Sequence, residues 1–280
     1  MSQPWLQMSR TFAPREPFRA SRPANATISS SVPSDCSSTG SAEDTVATFG
    51  SYGIIGLNQI VADCGDYCSD PSDIGTGAYY ACTGATCNAV AVADENQLSN
   101  PVALFDTDNN GSILAFPTIS ASGAATLSGS LIFGIGTASN NALGSAKVLT
   151  VDSNGNFTTV FNGQTLDMSF LDSGTNSLSF NDSSIAQCSS DLSGFYCPTS
   201  TLSLGAVNTG LNGVSSTVMF SVESTSTLFN NASYYVFDDL AATGSSGSFD
   251  WGFPFFIGRN VYVALDGAST PGGAGPYFAY

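Results

Sequence analysis

The string in this chain whose residue types and spacing suit acid–base chemistry is Phe170-Leu171-Asp172-Ser173-Gly174-Thr175, followed by Leu178. The two apolar residues before the acid put Asp172 at the end of a buried strand. Gly174 permits a tight loop, and the hydroxyls of Ser173 and Thr175 can hydrogen-bond the carboxylate and hold that loop in shape. Carboxylate-only hydrolysis needs two such acids sharing one proton, so that one activates water while the other donates to the carbonyl. With 18 Asp, 68 Ser plus Thr and 29 Gly in 280 residues, D-[ST]-G alone is expected by chance about 0.45 times. Requiring the second hydroxyl residue and both apolar residues lowers this to about 0.02, which makes the full string informative.

Composition removes most other chemistries. The chain has no histidine, which excludes Ser-His-Asp and Cys-His catalysis and imidazole-ligated zinc. No base is therefore at hand to activate a serine in runs such as Ser37-Ser38-Thr39 or Ser224 to Thr227, which read as solvated loops. The net charge of −16 leaves almost nothing to neutralise phosphates, so nucleic acid is excluded as a partner. No apolar run of 18 residues is present, so no membrane span is expected. No cofactor or metal is expected either.

The elements that must position Asp172 read as β throughout. Asn-Gly pairs at Asn110-Gly111, Asn154-Gly155, Asn162-Gly163 and Asn212-Gly213 are flanked by β-formers, which predicts tight hairpin turns. Short helices are expected only around Ala89 to Leu98 and Tyr234 to Ala242. Asp106-Thr107-Asp108-Asn109-Asn110-Gly111 imitates the start of an EF-hand loop, but its twelfth position is Pro117 rather than Glu, so a hairpin tip is expected there. Arg259 is expected to pair with Asp250 or Asp266. Tyr234, Tyr235, Trp251, Phe253, Phe255 and Phe256 are expected to pack in the core or to line a peptide cleft.

The charge is unevenly distributed. Residues 1–22 hold Arg10, Arg15, Arg19 and Arg22 against Glu16, a charge of +3, whereas residues 23–280 hold Lys147 and Arg259 against 21 acids, a charge of −19. Residues 1–32, with Pro4, Pro14, Pro17 and Pro23, read as a disordered or non-native segment rather than a signal peptide. Of the seven cysteines, Cys64, Cys68, Cys82 and Cys87 suit two disulfides in any of three connectivities, and Cys188 and Cys197 suit a third, with Cys36 left over. Spacings of C-x3-C and C-x4-C argue against zinc. Disulfides point to an extracytoplasmic location.

The order of motifs resembles the pepsin-like aspartic proteases. In that family each lobe carries a hydrophobic-hydrophobic-D-[ST]-G loop and, later, a hydrophobic-hydrophobic-Gly strand threading beside it. Phe256-Ile257-Gly258, 86 residues beyond Asp172 counted to the glycine, resembles the threading strand. Ser130 to Gly134 resembles the strand that opens the second lobe, and Gly275 to Tyr280 its terminal strand. From about Val32 onward the chain also looks like an uncharacterised bacterial family with pepsin-like motifs. The features carrying that likeness are Glu43-Asp44-Thr45-Val46-Ala47, Asn100-Pro101-Val102-Ala103-Leu104-Phe105, Asn140-Asn141-Ala142-Leu143-Gly144 and Phe249-Asp250-Trp251-Gly252.

The resemblance implies an all-β, bilobal acid-protease fold with an incomplete N-terminal lobe at 33–127 and a C-terminal lobe at 128–280. It implies a catalytic Asp172, loop support from Ser173, Gly174 and Thr175, and threading-strand glycines at Gly56 and Gly258. Tyr52-Gly53-Ile54-Ile55-Gly56-Leu57 resembles the first-lobe strand, but equal spacing would put its acid at 56 − 86 = −30, and no second D-[ST]-G exists. Three readings follow: half of an Asp dyad in a fragment inactive alone, a dimer contributing one Asp per chain, or a non-catalytic secreted binding or adhesive protein on the same scaffold. A monomer acting on a polypeptide substrate or ligand is expected.

Overall fold

A computed structural model of the chain describes residues 45–49, 52, 57–72, 79–83 and 86–280. Residues 53–56, with the expected glycine at position 56, lie outside the described residues, as does the Arg-rich start with Cys36. Contacts divide the chain into two units, Met1–Gly56 with Ala62–Asn100, and Leu57–Val61 with Pro101–Tyr280.

In the first unit, β1 (Tyr80–Thr83) and β2 (Thr86–Ala89) form an antiparallel hairpin with Cys82 opposite Cys87. Cys64 is bonded to Cys68, and Cys87 is also in a disulfide. Buried Gln97 organises the irregular chain around them. Its Nε2 donates to the carbonyls of Gly65 and Val92 at 2.9 Å, and its Oε1 accepts from Cys64 N at 3.1 Å. These bonds satisfy backbone groups that no helix or ladder serves. The helix expected at Ala89 to Leu98 reduces to one 3-10 turn at Asp94–Asn96, because the Val92 N–H is committed to the Cys68 carbonyl.

The second unit holds two larger sheets. The five-stranded sheet runs β4 (Ser130–Phe133), β3 (Gly111–Ala115), β13 (Asn260–Ala264), β16 (Tyr277–Ala279), β5 (Val148–Thr150). It therefore takes strands from both sides of residue 128. The seven-stranded sheet runs β10 (Ser215–Val222), β9 (Leu202–Thr209), β6 (Phe157–Phe161), β7 (Gln164–Leu171), β12 (Asp250–Trp251), β8 (Leu178–Phe180), β11 (Ala241–Thr243). A small hairpin, β14 (Ser269–Thr270) with β15 (Gly273–Ala274), lies before β16. The fold is all-β, and none of the described helices is long and apolar enough to cross a membrane.

Period-two patterning explains how the sheets share a core. Along β13, Val261 and Val263 enter the main cluster, while Tyr262 and Ala264 enter a second one with Ile113 and Tyr277. The main cluster joins both sheets: the Phe157 and Phe278 rings meet edge-on at 6.2 Å. At its centre Phe249 stacks on Trp251 at 4.0 Å and on Phe180 at 4.8 Å. The Trp251 indole donates to Thr159 Oγ1, which donates to Asn208 Oδ1, and Asn208 Nδ2 donates to the Tyr280 hydroxyl. This polar chain lets a tryptophan and an asparagine sit fully buried.

Asn162-Gly163 makes the expected two-residue turn between Phe161 and Gln164, with φ of 48° and 77°, the type I′ conformation that matches strand twist. Asn110-Gly111 does not turn. Gly111 opens β3, and the buried Asn110 side chain bonds Ile135 N and the carbonyls of Ile135 and Ser269. In the EF-hand-like run, Asp108 instead accepts from the Thr137 hydroxyl. No helix forms at Tyr234 to Ala242: Val236 bridges Ala124, and Ala241–Thr243 pairs parallel with Leu178–Phe180. Tertiary strand pairing there overrides a weak local helical preference.

Candidate functional site

Strand β7 runs out at Leu171 and delivers Asp172 into a loop that returns as β8. Between these two strands lies β12, parallel to β7 with Asp250 beside Phe170 and Trp251 beside Leu171, and antiparallel to β8 with Trp251 beside Leu178. Leu171, Trp251 and Leu178 share the face turned to the core. By the two-residue period the opposite face carries Phe170, Asp172, Asp250 and Ser179.

The loop is held by the acid itself. Asp172 Oδ1 accepts from Gly174 N at 2.7 Å and Oδ2 accepts from Thr175 Oγ1 at 2.7 Å, while Asp172 N donates to the Trp251 carbonyl at 3.1 Å. Ser173 is exposed and Asp172 half-buried. The structure thus brings Asp172, Gly174 and Thr175 into one constellation.

Gly258 is elsewhere. Phe253–Phe256 is a helical turn rather than a strand, and Gly258 follows it in a turn with φ of 77°, its N–H on the Pro117 carbonyl. The strand beside the Asp172 loop is Asp250–Trp251, and the glycine that makes the close approach is Gly252. A Cβ there would sit 2.1 Å from the Ser177 carbonyl oxygen and 2.7 Å from that of Thr175. Only glycine fits, since those atoms are backbone. The hydrophobic-hydrophobic-Gly pattern missed it because the strand reads Phe249-Asp250-Trp251-Gly252, with an acid where an apolar residue is expected.

That acid changes the chemistry. Burial, then the charge of Asp172, pushes the Asp250 carboxyl up to about 7, against a hydrogen bond with Thr175 that favours its ionised form. Asp250 Oδ1 is screened from solvent and has no hydrogen-bond partner. The Thr175 hydroxyl is within reach of both acids but has one proton, which goes to Asp172 Oδ2. A neutral Asp250 can donate to Thr175 Oγ1, making a directed chain from Asp250 through Thr175 to Asp172. Like charges on neighbouring carboxylates favour this one-proton state.

Arg259 pairs with neither Asp250 nor Asp266. Its Nη1 donates to the Phe255 carbonyl at 2.6 Å, its guanidinium lies 4.7 Å from the Phe255 ring centre, and the carboxylate whose charge it senses is Asp238. A cleft of about 1160 Å³ opens on this side of the second unit. Of the expected aromatics, Tyr234, Trp251 and Phe255 line it. Phe256 is core, Phe253 packs against that core, and Tyr235 is exposed. Neither Asp172 nor Asp250 lines the cleft, but Glu223, Asp238 and Asp239 do.

Fold and site together define an all-β protein with a paired-carboxylate loop between two sheet strands. The chain belongs to the family described as Protein of unknown function (DUF3443), whose model matches residues 24–280. Among curated proteins nothing matches the chain.

Proposed function

We propose that the chain is a homologue of the pepsin-like aspartic peptidases in which Asp172 holds the catalytic-loop position and Asp250 supplies a second carboxylate. The activity is peptide-bond hydrolysis at acidic pH. The observation that supports it is the parallel pairing of β12 with β7, which sets Asp250 against the Asp172–Thr175 loop. The expectation of an inactive fragment rested on the lack of a second D-[ST]-G, and Asp250 offers an acid without that motif.

Below about pH 7 Asp250 is the proton carrier. Water loses a proton to Asp172 as it attacks the carbonyl carbon, and Asp250 gives its proton to the carbonyl oxygen. As the diol collapses and its C–N bond breaks, a diol hydroxyl returns a proton to Asp250 and Asp172 gives its proton to the leaving amine nitrogen. The test is cleavage of a denatured protein at pH 4–5 by the wild type, Asp172→Ala and Asp250→Asn. Loss of cleavage in both variants supports the pair, and equal cleavage in all three overturns it.

A second reading, a non-catalytic secreted binding protein on this scaffold with a polypeptide ligand, is favoured by the size of the cleft and its separation from the acid pair. The disulfides Cys64–Cys68 and Cys188–Cys197 suit the extracytoplasmic location that both readings share.

A further inference from the structure

The cleft is large enough for a peptide segment or a small organic ligand, somewhat above the range of ordinary ligand sites. Its walls are mixed, with apolar Val218 and Phe220 from β10, Trp251 from β12, and Phe255 and Ile257 from the segment after it. Against this background stand three acids and one base, Glu223, Asp238, Asp239 and Arg259.

The acids are not equally provided for. Glu223 Oε1 accepts from Ser224 N at 2.7 Å and its Oε2 from the Thr201 hydroxyl. Asp238 is half-buried, and burial raises its carboxyl above the ordinary carboxylate value against the opposing charge of Arg259. Asp239 is only 6% exposed, yet its Oδ1 has no hydrogen-bond partner. A buried carboxylate oxygen without a donor is costly unless a ligand or a proton satisfies it. Burial and the charges of Asp238 and Glu223 push Asp239 up to about 6, so the empty cleft resists ionising it. A cation beside Asp239 would offset the two like charges and give its unpartnered oxygen a partner.

We propose that this cleft binds an organic cation, an ammonium or guanidinium group on an apolar stem such as a lysine or arginine side chain, with Asp239 as its principal acceptor and Asp238 and Glu223 as supporting charge. Three carboxylates against one guanidinium leave the ionised cleft two charges negative. The mixture of apolar and acidic lining suits an organic cation on an apolar stem better than a hydrated metal ion, which calls for a fuller set of oxygen ligands. Among the described residues no group of three or more Cys, Asp or Glu is arranged to hold a metal. The proposal goes beyond the hydrolytic reading and does not depend on it.

Calorimetric titration of the full chain at pH 7.5 tests it, with a lysine-containing peptide, the same peptide with norleucine in place of lysine, spermidine, and calcium chloride as separate probes. The lysine peptide binds, and the norleucine peptide binds at least about tenfold more weakly. Asp239→Asn weakens the lysine peptide about tenfold, Glu223→Gln weakens it less, and Asp167→Asn, at an exposed acid outside the cleft, leaves it unchanged. Binding also weakens as pH falls through about 6. Spermidine binding as tightly as the peptide identifies a free polyamine as the source of the cation, and weaker spermidine binding identifies a polypeptide side chain. Equal affinity for the lysine and norleucine peptides, no binding of any cation, or calcium displacing the peptide at equal concentration each overturns the proposal.

Discussion

Asp250 on β12 pairs with Phe170 of the parallel strand β7, two residues short of Asp172 in the loop that follows, and the Thr175 hydroxyl is within reach of both carboxyls. Cross-strand diagonal neighbours on one face are within reach of each other's side chains. The result is an acid pair assembled by one loop and the strand threaded through it.

Replacing the bridging hydroxyl tests that assembly. Thr175→Val keeps the shape and removes the donor to Asp172 and the acceptor for Asp250. We expect hydrolysis to fall by about 10²-fold, the usual scale for a disrupted proton path, with the acidic limb of the pH profile displaced. Thr175→Ser should restore most of the rate. Initial rates on a denatured protein across pH 3–7 check both.

Stability should follow pH in a defined direction. Asp250 and Asp239 have folded-state values of about 7 and about 6 against an ordinary 3.8, so the folded chain holds protons that the unfolded chain has released. Their contribution is full below pH 4 and is lost as pH rises through about 6 and about 7. Screening at the partly exposed Asp250 reduces its share, and the two groups together give on the order of 1–2 kcal/mol, or roughly 5 °C in melting temperature between pH 4.5 and pH 8. Asp250→Asn and Asp239→Asn should each flatten the slope. A melting temperature that rises with pH across this window would contradict the assignment.

Gly252 beside the Asp172 loop and Gly258 away from it should differ sharply on substitution. Gly252→Ala drives a methyl into the carbonyl oxygens of Ser177 and Thr175, which cannot yield without breaking the strand pairing. A cost of about 3 kcal/mol or more is expected. Gly258→Ala meets the Thr118 side-chain methyl at 2.8 Å and adopts φ of 77°, a strain of about 1 kcal/mol. Urea melts of both variants give the ranking.

Cys188 and Cys197 close a loop next to the buried Tyr196, whose hydroxyl donates to the Phe180 carbonyl. Opening a loop of this length should cost roughly 2–3 kcal/mol. The double variant Cys188→Ser with Cys197→Ser should lose that much in denaturant while the Asp172 loop, held by its own bonds, keeps its structure. Chemical unfolding with and without reductant measures the loss.

Sequence alone carried the all-β class, the Asp172–Thr175 loop, the Asn162-Gly163 turn and the Cys188–Cys197 bridge. Each rests on residues close together in the chain, where period, turn chemistry and loop length act locally. Three things needed the tertiary structure. Which strand threads beside the loop depends on pairing across about eighty residues, and it selected Gly252 over Gly258. Arg259 chose a carbonyl, a ring and Asp238 over the acids nearer in sequence, because packing rather than spacing sets its neighbours. Asp250 holds its proton well above the ordinary carboxylate range only because folding buries it beside Asp172, since a carboxyl's affinity for its proton is set by its surroundings and no residue string states them.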